Sequence, residues 1–108
     1  MKWRIIYHKA AKKDLDSIDG SCKAQVFKAI RKVAENPLPF TEGGYGKPLG
    51  NKNNTNLTGF LKIKLKSLGL RVVYRLDRVG NDMIVIVISV RSDNEVYKIA
   101  SKRSSNTD

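Results

Sequence analysis

The sequence contains very little of what metal centres and disulfide frameworks are built from. Its 108 residues include one cysteine, Cys22, and one histidine, His8. A single cysteine excludes an intrachain disulfide and is typical of proteins in a reducing compartment. Neither a Cys/His cluster nor a set of carboxylates at metal-ligand spacing occurs. We therefore expect a protein that works without a metal or another cofactor.

Long apolar runs and acidic residues are also scarce. No stretch is apolar for long enough to cross a bilayer, and the first seven residues lack the apolar run of a signal peptide, so we expect a cytoplasmic protein without a membrane partner. Ten Asp and Glu oppose 21 Lys and Arg, which gives a formal net charge of +11. Because the basic residues are spread along the chain, this charge favours a nucleic acid as partner. Mere solvation of the surface is the weaker reading.

The N-terminal part has the pattern of one strand and two helices. Trp3 to Tyr7 is rich in aromatic and β-branched residues and is predicted to be a short strand. Apolar residues at helical spacing predict a first helix from Lys9, which stops at Gly20. A second amphipathic helix follows, with Ser21 as its N-cap and Asn36-Pro37 at its end.

The middle and C-terminal parts predict an antiparallel meander. Residues 38–59 contain many Gly, Pro and Asn and are predicted to be a long irregular connection. Leu61 to Lys66 alternates apolar and basic residues, so a strand here would present Lys62, Lys64 and Lys66 on one open face. Residues 70–76 and 83–90 follow as strands, and the second of these is apolar on both faces, as in the interior of a sheet.

These elements predict a single α/β domain over residues 1–103. An N-terminal helical hairpin would pack on a small twisted sheet that is mainly antiparallel and has about four strands. Residues 95–103 are predicted to form a terminal helix, and residues 104–108 a disordered tail.

The basic residues of the meander suggest chemistry on a phosphodiester. Lys62 and Lys64 would lie about 7 Å apart on one face, and Arg71 would lie on the neighbouring strand. Like charges on adjacent strands reduce stability, which is a conflict typical of functional sites. RNA supplies its own nucleophile, the 2′-hydroxyl. Since His8 is far from these residues in the sequence, a lysine becomes a candidate base, because a nearby cation favours its neutral form.

The order of these motifs resembles the RelE/ParE toxin superfamily, and within it the RelE-like toxins that cleave mRNA. The resemblance covers nearly the whole chain. It is carried by Gly46-Lys47-Pro48-Leu49, Leu57-Thr58-Gly59-Phe60, Leu61-Lys62-Ile63-Lys64-Leu65, Ser67-x-Gly69-x-Arg71-x-Val73-Tyr74, Val87-Ile88-Ser89-Val90-Arg91 and Glu95-Val96-Tyr97. The resemblance implies catalytic residues at Lys62, Lys64, Arg71, Arg91 and Tyr97. We further expect Lys66 and Arg75 to bind RNA.

The roles implied by the resemblance leave one choice open. Either Lys64 or Tyr97 would be the base for the 2′-hydroxyl, and Tyr97 could instead stack on a nucleobase. Lys62 and Arg71 would stabilise the phosphorane, and Arg91 the charge on the leaving 5′-oxygen. The expected products are a 2′,3′-cyclic phosphate or 3′-phosphate end and a 5′-hydroxyl end.

The resemblance therefore implies the toxin of a type II toxin–antitoxin system. Such a toxin would cleave mRNA in the ribosomal A site and stop translation, and its partners would be mRNA, the ribosome and a cognate antitoxin. Two alternatives belong to other functional classes. One is a ParE-like, non-catalytic inhibitor of DNA gyrase, and the other is an RNA- or ribosome-binding module that does not cleave.

Overall fold

A five-stranded sheet organises the protein. The computed structural model describes residues 3–52, 55–89, 99–100 and 102–103. In chain order its elements are β1 (Arg4–Tyr7), α1 (Lys9–Asp16), α2 (Gly20–Ala34), β2 (Lys47–Lys52), β3 (Thr55–Leu65), β4 (Leu70–Asp77) and β5 (Asp82–Ser89), and residues 99–100 and 102–103 are also helical. The predicted combination of a helical hairpin and a small sheet is confirmed, with five strands instead of about four.

The sheet has the strand order β1-β5-β4-β3-β2. Strands β2 to β5 pair antiparallel, as the predicted meander requires, whereas β1 runs parallel to β5. The fifth strand is β2, which lies at one edge of the sheet inside the stretch 38–59. The prediction that this whole stretch is irregular was therefore wrong. An edge strand tolerates Pro48, because one side of the strand backbone needs no ladder hydrogen bonds. The Pro and Gly residues of β2 therefore give this strand the composition of a loop.

The helical hairpin begins and ends close to the predicted residues, with one difference at its turn. Gly20 is the first residue of α2, and Asp19 is its N-cap. The prediction that Gly20 ends the first helix and that Ser21 caps the second was wrong. The Ser21 hydroxyl instead donates a hydrogen bond to Asp19 Oδ2, at 2.9 Å. Helix α1 ends at Asp16, so residues 17–19 suffice for the turn.

The two helices cover one face of the sheet, where the main core lies. That core contains Ala11, Leu15, Val26, Ile30, Val33, Ala34, Leu61, Leu70, Val72, Tyr74, Met83, Val85 and Ile88. A smaller cluster lies on the opposite face and contains Phe60, Val73, Ile86, Val87 and Ala100. Strand β5 contributes to both clusters and has neighbours on both sides, which confirms the predicted interior strand.

A bulge in β5 shapes the smaller cluster. Val73 of β4 pairs with Val87, but the next residue, Tyr74, pairs with Val85, so Ile86 is an extra residue in β5. A bulge of this kind places two residues of one strand opposite one residue of its partner. Ile86 and Val87 consequently both reach the smaller cluster, and Ala100 of the C-terminal helical residues packs there with them.

Candidate active site

Strands β3 and β4 bring the predicted basic residues to one face of the sheet. In the antiparallel register Lys64 lies directly opposite Arg71, and Lys62 lies opposite Val73. Leu61 belongs to the core beneath the helices, whereas Val73 belongs to the smaller cluster on the other face. Because side chains alternate along a strand, Lys62, Lys64 and Arg71 share the face that carries the smaller cluster.

Arg75 extends this arrangement along β4. It shares the face of Arg71 and Val73, and in register it lies between Phe60 of β3 and Ile84 of β5. Its Nε is buried and, among the residues that the structure describes, has no hydrogen-bond partner. The stem of Arg75 is thus packed between apolar neighbours on the face that carries the lysines.

Lys66 differs from the other lysines in its local structure. It is the first residue of a short 3-10 turn, Lys66–Leu68, which Gly69 closes with φ of 65° in the left-handed region. The expected continuous alternation of Lys62, Lys64 and Lys66 on one strand was therefore wrong at its last member, because β3 ends at Leu65. A left-handed φ favours glycine, so the turn is fixed by Gly69.

The turn nevertheless brings Lys66 to the same depression as two of the predicted catalytic residues. A cavity of about 260 Å³ opens where β3 leads into β4, and Lys64, Lys66 and Arg71 line it together with Leu65, Gly69 and Leu70. Three cations from two strands and their turn thus surround one concave site. Such a site can hold an anionic group, because fixed positive charges stabilise it without reorganisation.

A further cation, Lys47, was missed by the prediction of site residues. Lys47 is the first residue of β2, its side chain is exposed, and it lies directly opposite Lys62 in the register of β2 with β3. In the sequence, Lys47 stood out only as part of a family motif. Because strand β2 was not predicted, nothing in the sequence indicated that Lys47 lies opposite Lys62. We call the surface formed by Lys47, Lys62, Lys64, Arg71 and Arg75 the basic face.

The described carboxylates next to these strands have partners elsewhere. The carboxylate of Asp82 accepts hydrogen bonds from Nε and Nη2 of Arg4, at 2.8 and 3.2 Å. Asp77, at the far end of β4, accepts hydrogen bonds from the backbone N–H groups of Val79 and Gly80. In the strand register of the described residues, no carboxylate lies opposite a member of the basic face.

The segment that leads into β2 is anchored behind the basic face. Tyr74 is fully buried, and its hydroxyl donates a hydrogen bond to the carbonyl oxygen of Pro37, at 2.9 Å. Burial raises the pKa of Tyr74 above its usual value. Near the surface the guanidinium of Arg78 binds both carboxylate oxygens of Glu42, at 2.8 Å each, and lowers the pKa of Glu42. These contacts join the segment to β4 and the turn after it.

Two of the five predicted catalytic residues, Arg91 and Tyr97, lie outside the described residues. The predicted terminal helix is observed at residues 99–100 and 102–103, and the predicted tail at 104–108 also lies outside the described part. Ala100 packs on Val73, Ile86 and Val87, so these helical residues lie on the side of the sheet that carries the basic face.

Neither a metal-binding cluster nor a membrane-spanning helix occurs among the described residues. No group of three or more His, Cys, Asp or Glu side chains in that part of the chain could hold a metal ion. None of its helices is both long and apolar enough to span a membrane. What the described residues offer chemically is a set of fixed cations on a sheet.

Comparison with known proteins agrees with this fold. Residues 5–97 match the sequence profile of the family described as ParE toxin of type II toxin–antitoxin system, parDE. The protein belongs to this family of toxins. A RelE-like toxin protein of Escherichia coli is 25% identical to this toxin over 105 residues, which are 95% of this chain and 98% of that protein. The predicted membership of the RelE/ParE superfamily is confirmed.

Solved structures of other toxins share the fold of this toxin. A double mutant of the E. coli toxin RelE in its free state aligns with a TM-score of 0.73 and 24% identity, covering 95% of this toxin and 98% of that chain. A chain of the toxin–antitoxin complex RelBE2 of Mycobacterium tuberculosis aligns with a TM-score of 0.67 and 21% identity, covering 84% and 100%. At these identities the matches establish the architecture.

Proposed function

We propose that this toxin is a metal-independent endoribonuclease that cleaves mRNA in the ribosomal A site and thereby inhibits translation. The observation that carries the proposal is the pair Lys64 and Arg71, directly opposite each other on adjacent strands, with Lys62 on the same face. Cations in this arrangement repel one another in the free protein. Fixed cations grouped in this way can hold an anion, and they stabilise a phosphodiester more in its transition state, where it carries more negative charge, than in its ground state.

The proposed reaction is a transfer within the RNA. The 2′-hydroxyl loses its proton to a base, either Lys64 or Tyr97, while its oxygen attacks the adjacent phosphorus. Lys62 and Arg71 stabilise the phosphorane. The bond from phosphorus to the 5′-oxygen then breaks, and the leaving oxygen takes up a proton from water while Arg91 stabilises its charge. The products are a 2′,3′-cyclic phosphate, which can open to a 3′-phosphate, and a 5′-hydroxyl end.

Dependence on the ribosome is implied by the resemblance to RelE-like toxins, and the residue set offers a physical rationale for it. The proposed machinery has no histidine or carboxylate for proton transfer, so much of the rate must come from correct positioning of the substrate. Holding reacting groups in attack geometry accounts for a large share of many rate enhancements. A ribosome that holds mRNA in the A site would supply this geometry. The similarity to RelE-like toxins of E. coli supports this reading.

A cognate antitoxin is the proposed protein partner. The structurally similar toxin of M. tuberculosis occurs in a complex with its antitoxin. In this chain an acidic or amphipathic segment that covers the basic face, or displaces the C-terminal helical residues beside it, would block the site by charge and by sterics. Lys66 and Arg75, which flank the proposed catalytic residues, would then bind RNA in the free toxin and the antitoxin in the complex.

One observation favours a second candidate. The matching family profile is that of ParE toxins. The second candidate is therefore a ParE-like, non-catalytic inhibitor of DNA gyrase. Such an inhibitor would not need Lys64 for proton transfer or phosphate binding. It predicts growth inhibition with intact mRNA and damaged DNA, and growth inhibition that survives substitution of Lys64.

The decisive experiment is the mapping of 5′ ends on a reporter mRNA in a translation extract, with and without ribosomes. We expect new 5′-hydroxyl ends within codons when wild-type toxin and ribosomes are present, and none with Lys64→Ala. The matched control is Lys28→Ala, which removes one exposed lysine from α2 on the opposite side of the sheet and should cleave as the wild type does. Intact mRNA with the wild-type toxin would reject the ribonuclease and favour gyrase inhibition or binding without cleavage.

A further inference from the structure

Strand β2 carries a cation that the proposed reaction does not use. Lys47 is exposed and lies directly opposite Lys62, just as Arg71 lies opposite Lys64. Two like-charged cross-strand pairs therefore follow each other along β3. The second pair extends the row of cations from β3 and β4 onto the edge strand β2.

The two pairs form a diagonal band across three strands. Adjacent strands lie about 4.8 Å apart and residues two apart on a strand about 7 Å apart, so the band from Lys47 to Arg71 is about 12 Å long at the backbone. A single phosphate group cannot contact both ends of a band of this length. The band instead fits a polymer that presents successive phosphates, and single-stranded RNA is such a polymer.

The backbone at the start of β2 is fixed by close packing. Gly46 precedes Lys47, and a Cβ at Gly46 would collide with the Tyr74 hydroxyl and the Leu61 side chain. The carbonyl oxygen of Gly46 accepts a hydrogen bond from the Phe40 N–H, at 2.8 Å. The N–H of Gly46 donates a hydrogen bond to the carbonyl oxygen of Leu38, at 3.0 Å. Lys47 thus projects from a rigid support, which is what a binding residue needs to act at a defined position.

We propose that Lys47 binds the phosphate of a nucleotide adjacent to the scissile one, and so extends the substrate site from β3 and β4 onto the edge strand β2. This inference rests on the proposed function in that the scissile phosphate lies at Lys62, Lys64 and Arg71. Lys47 takes no part in proton transfer. It sets the path along which the RNA crosses the sheet, from the edge strand toward β4.

A different reason for a lysine at this position is protection of the sheet edge. Exposed edge strands often carry lysine because its charge prevents pairing with another chain. That role requires only a charge on β2 and predicts no coupling to RNA. The two explanations differ in their effect on the salt dependence of RNA binding, which counts the phosphates that the protein contacts.

The test uses fluorescence anisotropy with a labelled single-stranded RNA whose 2′-hydroxyls are methylated, so that it cannot be cleaved. Affinity is measured over a series of salt concentrations for the wild type, Lys47→Gln, Lys47→Arg and Lys28→Gln. We expect Lys47→Gln to bind about fivefold more weakly at low salt and its slope of log affinity against log salt to be shallower by about 0.7. Lys47→Arg should keep the wild-type slope, and Lys28→Gln should match the wild type in both.

The outcomes separate this inference from the proposed function. If Lys47→Gln and Lys28→Gln share the wild-type slope while mRNA is cleaved at 5′-hydroxyl ends, the role of Lys47 is overturned and the ribonuclease stands. If the slope depends on Lys47 while wild-type toxin leaves mRNA intact in the extract, RNA binding by Lys47 is supported and the ribonuclease fails. A wild type that does not bind the methylated RNA would overturn the inference directly.

Discussion

Asp14 of α1 and Arg103 of the C-terminal helical residues form a two-pronged ion pair. Nη1 of Arg103 lies 2.8 Å from Oδ2 of Asp14, and Nη2 lies 3.3 Å from Oδ1. Both side chains also bind β5, because Arg103 Nη1 donates to the carbonyl oxygen of Ile86 at 2.8 Å and the Ile88 N–H donates to Asp14 Oδ2 at 3.0 Å. Strand β1 ends at Tyr7. Beyond that point, the ion pair supplies hydrogen-bond partners to backbone groups of β5.

This relationship predicts that Asp14→Ala and Arg103→Ala each reduce the free energy of unfolding by about 2 to 3 kcal/mol. Each variant removes a partly buried charge, leaves its partner unpaired and exposes a backbone group of β5 without a hydrogen bond. The double variant should lose less than the sum of the two, since both members belong to one network. Urea unfolding monitored by circular dichroism measures these differences.

A charge-swapped variant distinguishes this network from a simple ion pair. Asp14→Arg combined with Arg103→Asp restores opposite charges, yet position 14 then has no acceptor for the Ile88 N–H and position 103 no donor for the Ile86 carbonyl group. We expect the swapped protein to remain at least as unstable as the single variants. Recovery of wild-type stability would show that the charges alone matter and that the contacts with β5 contribute nothing.

Gly46 is predicted to be intolerant of even one additional methyl group. Gly46→Ala would force a Cβ into the Tyr74 hydroxyl and Leu61, which should lower the free energy of unfolding by about 2 kcal/mol through overpacking. It should also weaken RNA binding, because Lys47 follows directly. Gly20→Ala is the matched control, as no atom lies within 4 Å of a Cβ there, and its stability should be unchanged or raised by up to about 1 kcal/mol. Equal stability of the two variants would contradict the packing argument.

The elements that follow from local patterns were predictable from the sequence. The alternation of apolar and basic residues gave Lys62 and Lys64 their shared face, because the period of a strand is two. The apolar stretch in β5 indicated an interior strand, since both of its faces are buried. Arg71 joined the same face once the turn closed by Gly69 fixed the register of β4 with β3.

The elements that depend on distant partners were not predictable in this way. Strand β2 contains Gly and Pro, and it exists because β3 supplies its hydrogen bonds. Its position brings Lys47 opposite Lys62, a relationship that no local pattern shows. The contacts of Asp14 with β5 and Arg103 likewise join residues far apart in sequence. Lys66 left the strand because the turn began one residue earlier than the alternation indicated.

Tyr74 predicts a loss of stability at high pH. Burial raises its pKa, so below about pH 10 it is protonated in both the folded and the unfolded chain and its contribution is fully present. Above that pH the unfolded chain releases a proton that the folded protein retains, so stability falls as the pH rises, by up to about 1.4 kcal/mol per pH unit. Unfolding by urea between pH 8 and pH 11 measures this dependence.

Tyr74→Phe provides the comparison for that experiment. At neutral pH it should be less stable than the wild type by about 1 to 2 kcal/mol, because the Pro37 carbonyl oxygen loses its buried hydrogen-bond donor. The difference should narrow above pH 10, since only the wild type has a buried phenol to ionise. A difference that stays constant from pH 8 to pH 11 would show that Tyr74 ionises equally easily in both states.

Substitution of Lys64 is predicted to reduce the rate of mRNA cleavage without reducing the free energy of unfolding. Lys64→Gln removes one of two cations that lie directly opposite each other, Lys64 and Arg71. Loss of a base or of a phosphate-binding charge should slow mRNA cleavage by about 100-fold or more. The free energy of unfolding should be no lower than that of the wild type, because relief of the like-charge pair offsets the lost contacts.

Lys28→Gln is the control for both measurements, since it removes the same charge from an exposed position on α2. It should leave cleavage and stability unchanged. The two readouts are the rate at which 5′-hydroxyl ends form on a reporter mRNA in a translation extract and the urea midpoint of the purified toxin. A Lys64→Gln variant that loses activity only in proportion to a loss of folded protein would assign Lys64 a structural role, because a residue kept for chemistry should be dispensable for folding.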